Sequence, residues 1–205
     1  MAQKNLIECI GAYFLVLAIG FSGNPLAIGL MLAVMVYCGG HISGAHYNPA
    51  VTFGFLVGRK MGLSQVLGYW VSQIMGAFLA AFTFYLVQHK TFAPQPAAGV
   101  SFLQACSMEA ICTFALVLVI MSVATAKKLE GNFVYGFAIG LTVTASAYVA
   151  GGISGGAFNP AVGMGPILVD IIFGSGSPSH IILYIVGPLL GAAMAAKVFE
   201  YLNQS

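Results

Sequence analysis

The 205 residues of this chain are 60% hydrophobic and only 6% charged, with a formal net charge of +2 at pH 7 and a mean hydropathy of +0.96. A water-soluble domain of this length is excluded by that composition, and no nucleic-acid partner is expected of so weakly charged a chain. The sequence reads as an all-α membrane protein surrounded by a lipid bilayer.

In chain order, apolar runs fall at residues 5–22, 25–39, 63–88, 102–125, 133–150 and 180–202. At about 1.5 Å per residue they approach or reach the roughly 30 Å hydrocarbon thickness, so six transmembrane helices are predicted, the second being the shortest. Between the second and third runs stands Ile42-Ser43-Gly44-Ala45-His46-Tyr47-Asn48-Pro49-Ala50-Val51, and between the fifth and sixth Ile153-Ser154-Gly155-Gly156-Ala157-Phe158-Asn159-Pro160-Ala161-Val162. Asn before Pro starts a helix well, because Asn caps it and Pro at the first helical position lacks an amide hydrogen that would go unsatisfied anyway. Each motif therefore predicts a helix of about nine apolar residues, too short to cross. Such a half-helix is tolerated at membrane depth only inside protein or against a water-filled cavity, so the two motifs predict a cavity.

The chain also repeats itself. Glu8 to Leu17 aligns with Glu109 to Leu118, and Tyr69 to Ala77 aligns more weakly with Tyr184 to Ala192. With three full spans per half, the copies at about 1–90 and 101–205 must enter the membrane from opposite sides, an inverted repeat within a single domain spanning 1–205. Lys4, Arg59, Lys60, Lys127, Lys128 and Lys197 fall on one side of this arrangement and only Lys90 on the other, which predicts that both termini are cytoplasmic. No cleavable signal is expected. Cys9, Cys38, Cys106 and Cys112 are read as packing residues at membrane depth or its edge, without disulfides.

These features resemble the aquaporin or major intrinsic protein family of water and neutral-solute channels over essentially the whole chain. The resemblance is carried by Glu8, the segment Gly40 to Thr52, Gln73, Glu109 and the segment Ile153 to Ala161. It implies six transmembrane helices, two re-entrant half-helices meeting near the midplane, a homotetramer with one pore per subunit, and residence in the cell (plasma) membrane. No cofactor, metal or catalytic group is implied. The pore motifs are Asn48, Pro49, Ala50 and Asn159, Pro160, Ala161. Their helix N-termini each present about half a positive charge to the centre and repel cations, while the two Asn amides offer hydrogen bonds to a passing oxygen. By the same resemblance, backbone carbonyls of Gly44, Ala45 and His46, and of Gly155, Gly156 and Ala157, form a polar rail. Glu8 and Glu109 brace the two loops. For Glu8 an interfacial position near Lys4 is the competing reading.

The resemblance also locates a narrow filter at Ile28, Ala147, Gly156 and Val162. Most relatives place Arg where Val162 stands, and water-selective members an aromatic and a His at the positions of Ile28 and Ala147. The substitutions predict a wider, more apolar and less cationic gap, suited to water and small uncharged solutes of the glycerol, urea or ammonia type. A strictly water-selective pore remains if His89 or Lys90 folds over the mouth, or if Tyr148 or Phe158 narrows it. His46 is expected to orient its loop rather than to sense pH, and the same structural reading is given to His41. Among rival classes, an enzyme lacks any His-Glu-x-x-His motif or paired Asp. A coupled transporter lacks midplane carboxylates beyond Glu8 and Glu109, Asp170 being the only Asp. A closed structural protein is excluded only by flux.

Overall fold

The structure, a computed structural model, describes residues 1–203. Among these residues eight α-helices follow one another: α1 (Ala2–Ser22), α2 (Pro25–Ser43), α3 (Pro49–Val57), α4 (Leu63–Gln88), α5 (Phe102–Thr125), α6 (Tyr135–Ser154), α7 (Pro160–Phe173) and α8 (Ile181–Leu202). Six of them, all but α3 and α7, are long and apolar enough to cross a membrane.

Local sequence explains where the helices begin. Asn24 caps α2 by accepting from the Leu26 and Ala27 amides at 2.9 and 3.3 Å, with Pro25 in the first turn. Ser101 and Gln104 form a reciprocal capping box at the start of α5, which satisfies two of the amides that every helix start leaves open. Asn48 and Asn159 cap α3 and α7 in extended backbone conformations, with Pro49 and Pro160 as the first helical residues.

The ends depart from expectation in two places. The second span is not cut at Gly39 but continues to Ser43, because the Gly39-Gly40 pair stays helical and the stop is made by Gly44 in a left-handed conformation. The fifth likewise runs on to Ser154, ended by left-handed Gly155. The second half-helix is 14 residues rather than about nine: Pro166 within it does not end it, since at membrane depth neighbouring helices shield the interrupted backbone. Its extra turn carries Asp170.

The helices cross-brace the two halves of the chain. α1 packs on α4 and α2, α5 on α8 and α6, and α2 lies along α6; the half-helix α3 rests mainly on α8, and α7 on α4. The α2–α6 crossing is tight at Gly29 and Gly140, where a Cβ on either would strike the other's carbonyl oxygen. Small residues permit this approach where lipid gives helices no hydrophobic reason to associate. Cys106 and Cys112 are buried and Cys9 half-buried, as packing residues should be, whereas Cys38 is exposed on α2; all four are free thiols.

Candidate functional site

Both membrane-embedded glutamates are fully buried, and each holds a loop. Glu8 on α1 accepts from the Ser43 hydroxyl (2.6 Å) and the His46 amide (2.9 Å) on one oxygen. Its other oxygen accepts from the Tyr47 amide (2.6 Å) and Gln73 Nε2 (2.7 Å). Glu109 on α5 accepts from the Ser154 hydroxyl (2.7 Å) and Ala157 amide (3.0 Å) on one oxygen, and from the Phe158 amide (2.6 Å) on the other. Consecutive amides converging on a carboxylate make an anion nest. It holds Ala45, Tyr47 and Phe158 at φ between 50° and 52°, a region costly for residues with a Cβ. The interfacial reading of Glu8 is thereby replaced: the side chain is inside the bundle.

The loops so held bring the two Asn residues together. Asn48 Nδ2 donates to the Phe158 carbonyl (2.9 Å) and Asn159 Nδ2 donates to the Tyr47 carbonyl (3.0 Å), so each half-helix is tied to the residue preceding the other. Each Oδ1 accepts from its own helix, from the Ala50 amide at 2.8 Å and the Ala161 amide at 2.9 Å. A carboxamide has two N–H donors. One is used in each cross-tie, and the second has no partner among the described residues.

His46 is fixed as well. Its Nδ1 lies 3.0 Å from Thr52 Oγ1, and Thr52 gives its only hydroxyl proton to the Asn48 carbonyl (3.1 Å) while accepting from Gln73 Nε2 (3.0 Å). Nδ1 therefore carries the proton, and the ring is clamped between Phe55 and Tyr69.

Two cavities open on either side of this partition. One, of about 420 Å³, is lined by Asn48 and Asn159 together with Ile28, Ala147, Gly156 and Val162, so the four expected filter residues surround one space; no Asp, Glu, Lys or Arg contributes to it. The second, a vestibule of about 610 Å³ on the side of Lys127 and Glu130, is lined by Gly40, His41, Gly44 and Phe55. Ile120 and Ile139 border both.

A family model described as major intrinsic protein matches residues 3–199. The chain belongs to that family. Over 98% of its length it is 38% identical to "Aquaporin NIP1-1" of Oryza sativa subsp. japonica, covering 74% of that protein. It is 37% identical to "Nodulin-26" of Glycine max, over 97% of this chain and 77% of the other. It is also 37% identical to "Aquaporin AqpM" of Methanothermobacter marburgensis, over 87% and 75%. Among solved structures, the "aquaglyceroporin from Plasmodium falciparum" superposes with a TM-score of 0.84 over 97% of this chain and 95% of that one at 23% identity, a likeness of fold. With the six apolar helices, membership makes this an integral membrane protein of a channel family.

Within this family frame, the loop residues expected to face the pore divide between the cavities. Ala45, His46, Gly155, Gly156 and Ala157 border the filter cavity, and Gly44 borders the vestibule. His41 lies on the vestibule wall rather than within the motif loop. Of the four residues considered for narrowing the mouth, three lie away from the filter cavity and one borders it. His89 and Lys90 are exposed and away from the filter cavity. Tyr148 is 65% exposed, on the outer face of α6. Phe158 borders the cavity, and its ring is buried against Cys112 and Ala150 with the filter position Ala147 packed on the same cluster. The loop after α4 does reach the cavity, through Phe92, Ala93 and Pro94. The signal for this was the apolar composition of residues 92–97, unusual for a loop outside the bilayer.

Proposed function

We propose that this chain is a passive transmembrane channel for water and small uncharged solutes of the glycerol, urea or ammonia type, selected by a wide, apolar filter at Ile28, Ala147, Gly156 and Val162. The observation carrying this reading is the filter cavity, about 420 Å³ with no charged side chain on its wall. The names of the relatives, aquaporins and an aquaglyceroporin, agree with it. A solute entering the filter loses much of its hydration and finds donors only deeper, at the free N–H groups of Asn48 and Asn159. Weakly hydrated neutral molecules bear that loss best. At the centre the two helix N-termini oppose cations, and the cross-tied amides hold a passing oxygen. Glu8 and Glu109, which accept four and three hydrogen bonds mostly from the motif segments, are positioning residues and not ion-coupling sites.

The same reading makes residues 1–205 one channel domain of inverted repeats, assembled as a homotetramer in the plasma membrane with cytoplasmic termini. The matched carboxylate nests support the repeat, and the cation distribution supports the orientation. Val162→Arg tests the filter. In proteoliposomes the variant is expected to cut glycerol and urea flux at least about tenfold, as a cation refills the gap; unchanged glycerol flux in a correctly inserted variant removes Val162 from the filter. Chemical cross-linking in the membrane, with a four-copy ladder expected, tests the tetramer.

A further inference from the structure

The segment between α4 and α5 is bound at three places. At one end the Thr91 hydroxyl donates to Asp170 Oδ1 at 2.5 Å. Asp170 lies in the last turn of α7, half-buried, and its carboxylate fits there because Gly174 and Gly176 carry no Cβ to collide with its oxygens. In the middle, the Phe92 ring packs edge-on against Phe84 of α4 at 4.9 Å between centroids and against Gly20 of α1, where an added Cβ would sit 2.7 Å from it. At the far end, the Ala97 amide donates to the Ile153 carbonyl at 3.0 Å, and the Gln95 backbone runs so close to Gly155 that a Cβ there would fall 2.8 Å from the Gln95 oxygen. Between these attachments, Phe92, Ala93 and Pro94 form part of the filter-cavity wall.

Two of the four filter positions are Gly156 and Ala147, so the quartet itself leaves much of that opening unfilled. Asp170 has no cationic partner among the described residues, their one ion pair being Lys197–Glu200; its side-chain hydrogen bond goes to Thr91 alone.

We infer that the strap 91–97 is a specificity-determining wall of the filter, and that Asp170, acting through Thr91, is the residue that positions it. The inference rests on the proposed channel function and deepens it by naming what limits solute size. The strap borders the same cavity as Gly156 and Ala147 and limits the width that their small side chains would otherwise allow. The side chains it presents to the cavity, Phe92, Ala93 and Pro94, carry no polar group, so they discriminate by shape.

The test is permeation of a polyol series, glycerol, erythritol and xylitol, into proteoliposomes followed by light scattering at equal amounts of inserted protein. Thr91→Val keeps the shape of the side chain but removes the donor; Phe92→Ala removes the middle attachment; Thr91→Ser keeps the hydroxyl. Thr91→Val and Phe92→Ala are expected to raise the xylitol-to-glycerol permeability ratio about tenfold, the low end of what one apolar contact discriminates, while Thr91→Ser retains the native ratio. A merely structural tie would lower all fluxes together and leave the ratio unchanged. An unchanged ratio in both disruptive variants, with glycerol still passing, overturns the inference and leaves the channel reading standing. A native chain that passes no polyol overturns both.

Discussion

The two carboxylate nests do the same task with different parts. Around Glu8 the loop residue at the corner is Tyr47, whose ring fills a slot left by Gly11 and Gly39 and whose hydroxyl donates to the Met35 carbonyl at 2.9 Å. Around Glu109 the corner is Phe158, whose ring rests on Cys112 and Ala150. Gly11 and Cys112 occupy equivalent places in the aligned segments, three residues after each Glu, as do Gly39 and Ala150, four residues before each Ser. The larger ring meets the smaller partners and the smaller ring the larger ones. Ring size and partner size thus vary in opposite directions at the two corners, each filled by a different set of residues, as close-packed interiors require. The first nest also has Gln73, which donates to both Glu8 and Thr52. The aligned place in the second half is Pro188, which has no side-chain donor, and Glu109 accordingly has one bond fewer.

That difference can be pressed experimentally. Replacing either Glu by Leu leaves two buried backbone amides and a serine hydroxyl without their acceptor and is expected to cost about 4 kcal/mol or more, read as loss of folded protein after mild heating in detergent. The glutamine substitutions separate the nests: Glu8→Gln turns an amide N–H₂ toward two donors on either oxygen's side, whereas Glu109→Gln can turn it toward the single Phe158 amide. Glu8→Gln is expected to be the worse by about 1–2 kcal/mol, and equal midpoints would mean that Gln73 does not bear on the first nest. At the corners, Gly11→Ala drives a methyl into the Tyr47 ring and is expected to cost about 2 kcal/mol through overpacking. Its counterpart Cys112→Ala opens a small void worth about 1 kcal/mol. The reverse order would break the volume argument.

The smallest effect should be symmetrical. Tyr69 and Tyr184 each donate a hydroxyl hydrogen bond to the carbonyl of the motif serine, Ser43 at 2.8 Å and Ser154 at 2.6 Å. Tyr69→Phe and Tyr184→Phe are each expected to cost about 1 kcal/mol. A large inequality between them, measured in the same heating series, would show that the halves are less equivalent than their alignment implies.

Much of this architecture is legible in the sequence because it rests on local chemistry. Asn48-Pro49 and Asn159-Pro160 announce helix starts, long apolar runs announce spans, and a Glu inside such a run demands a partner. Counting from the motifs picks out Ile28, Ala147, Gly156 and Val162, which border one cavity, since spacing along a rigid helix carries over. The corner slots could not, because they depend on which side chain of one helix faces which gap between two others. The strap was missed for a related reason: residues 91–97 have no periodicity, and their positions follow from contacts with Asp170, Phe84 and Ile153 far away in the chain. The polar residues of that loop, His89 and Lys90, lie outside the cavity, and its wall is made by the apolar residues after them. The length of α7 was hidden by Pro166, a helix breaker in water that is tolerated inside this bundle.

The most direct measurement is stopped-flow light scattering on proteoliposomes of the native chain, comparing water, glycerol and urea against protein-free vesicles of the same lipid. The apolar, uncharged filter predicts glycerol and urea permeabilities well above the protein-free background. Fast water flux with glycerol and urea held at background would contradict it, and would mean that the space bounded by Ile28, Ala147, Gly156 and Val162 does not set what this pore admits.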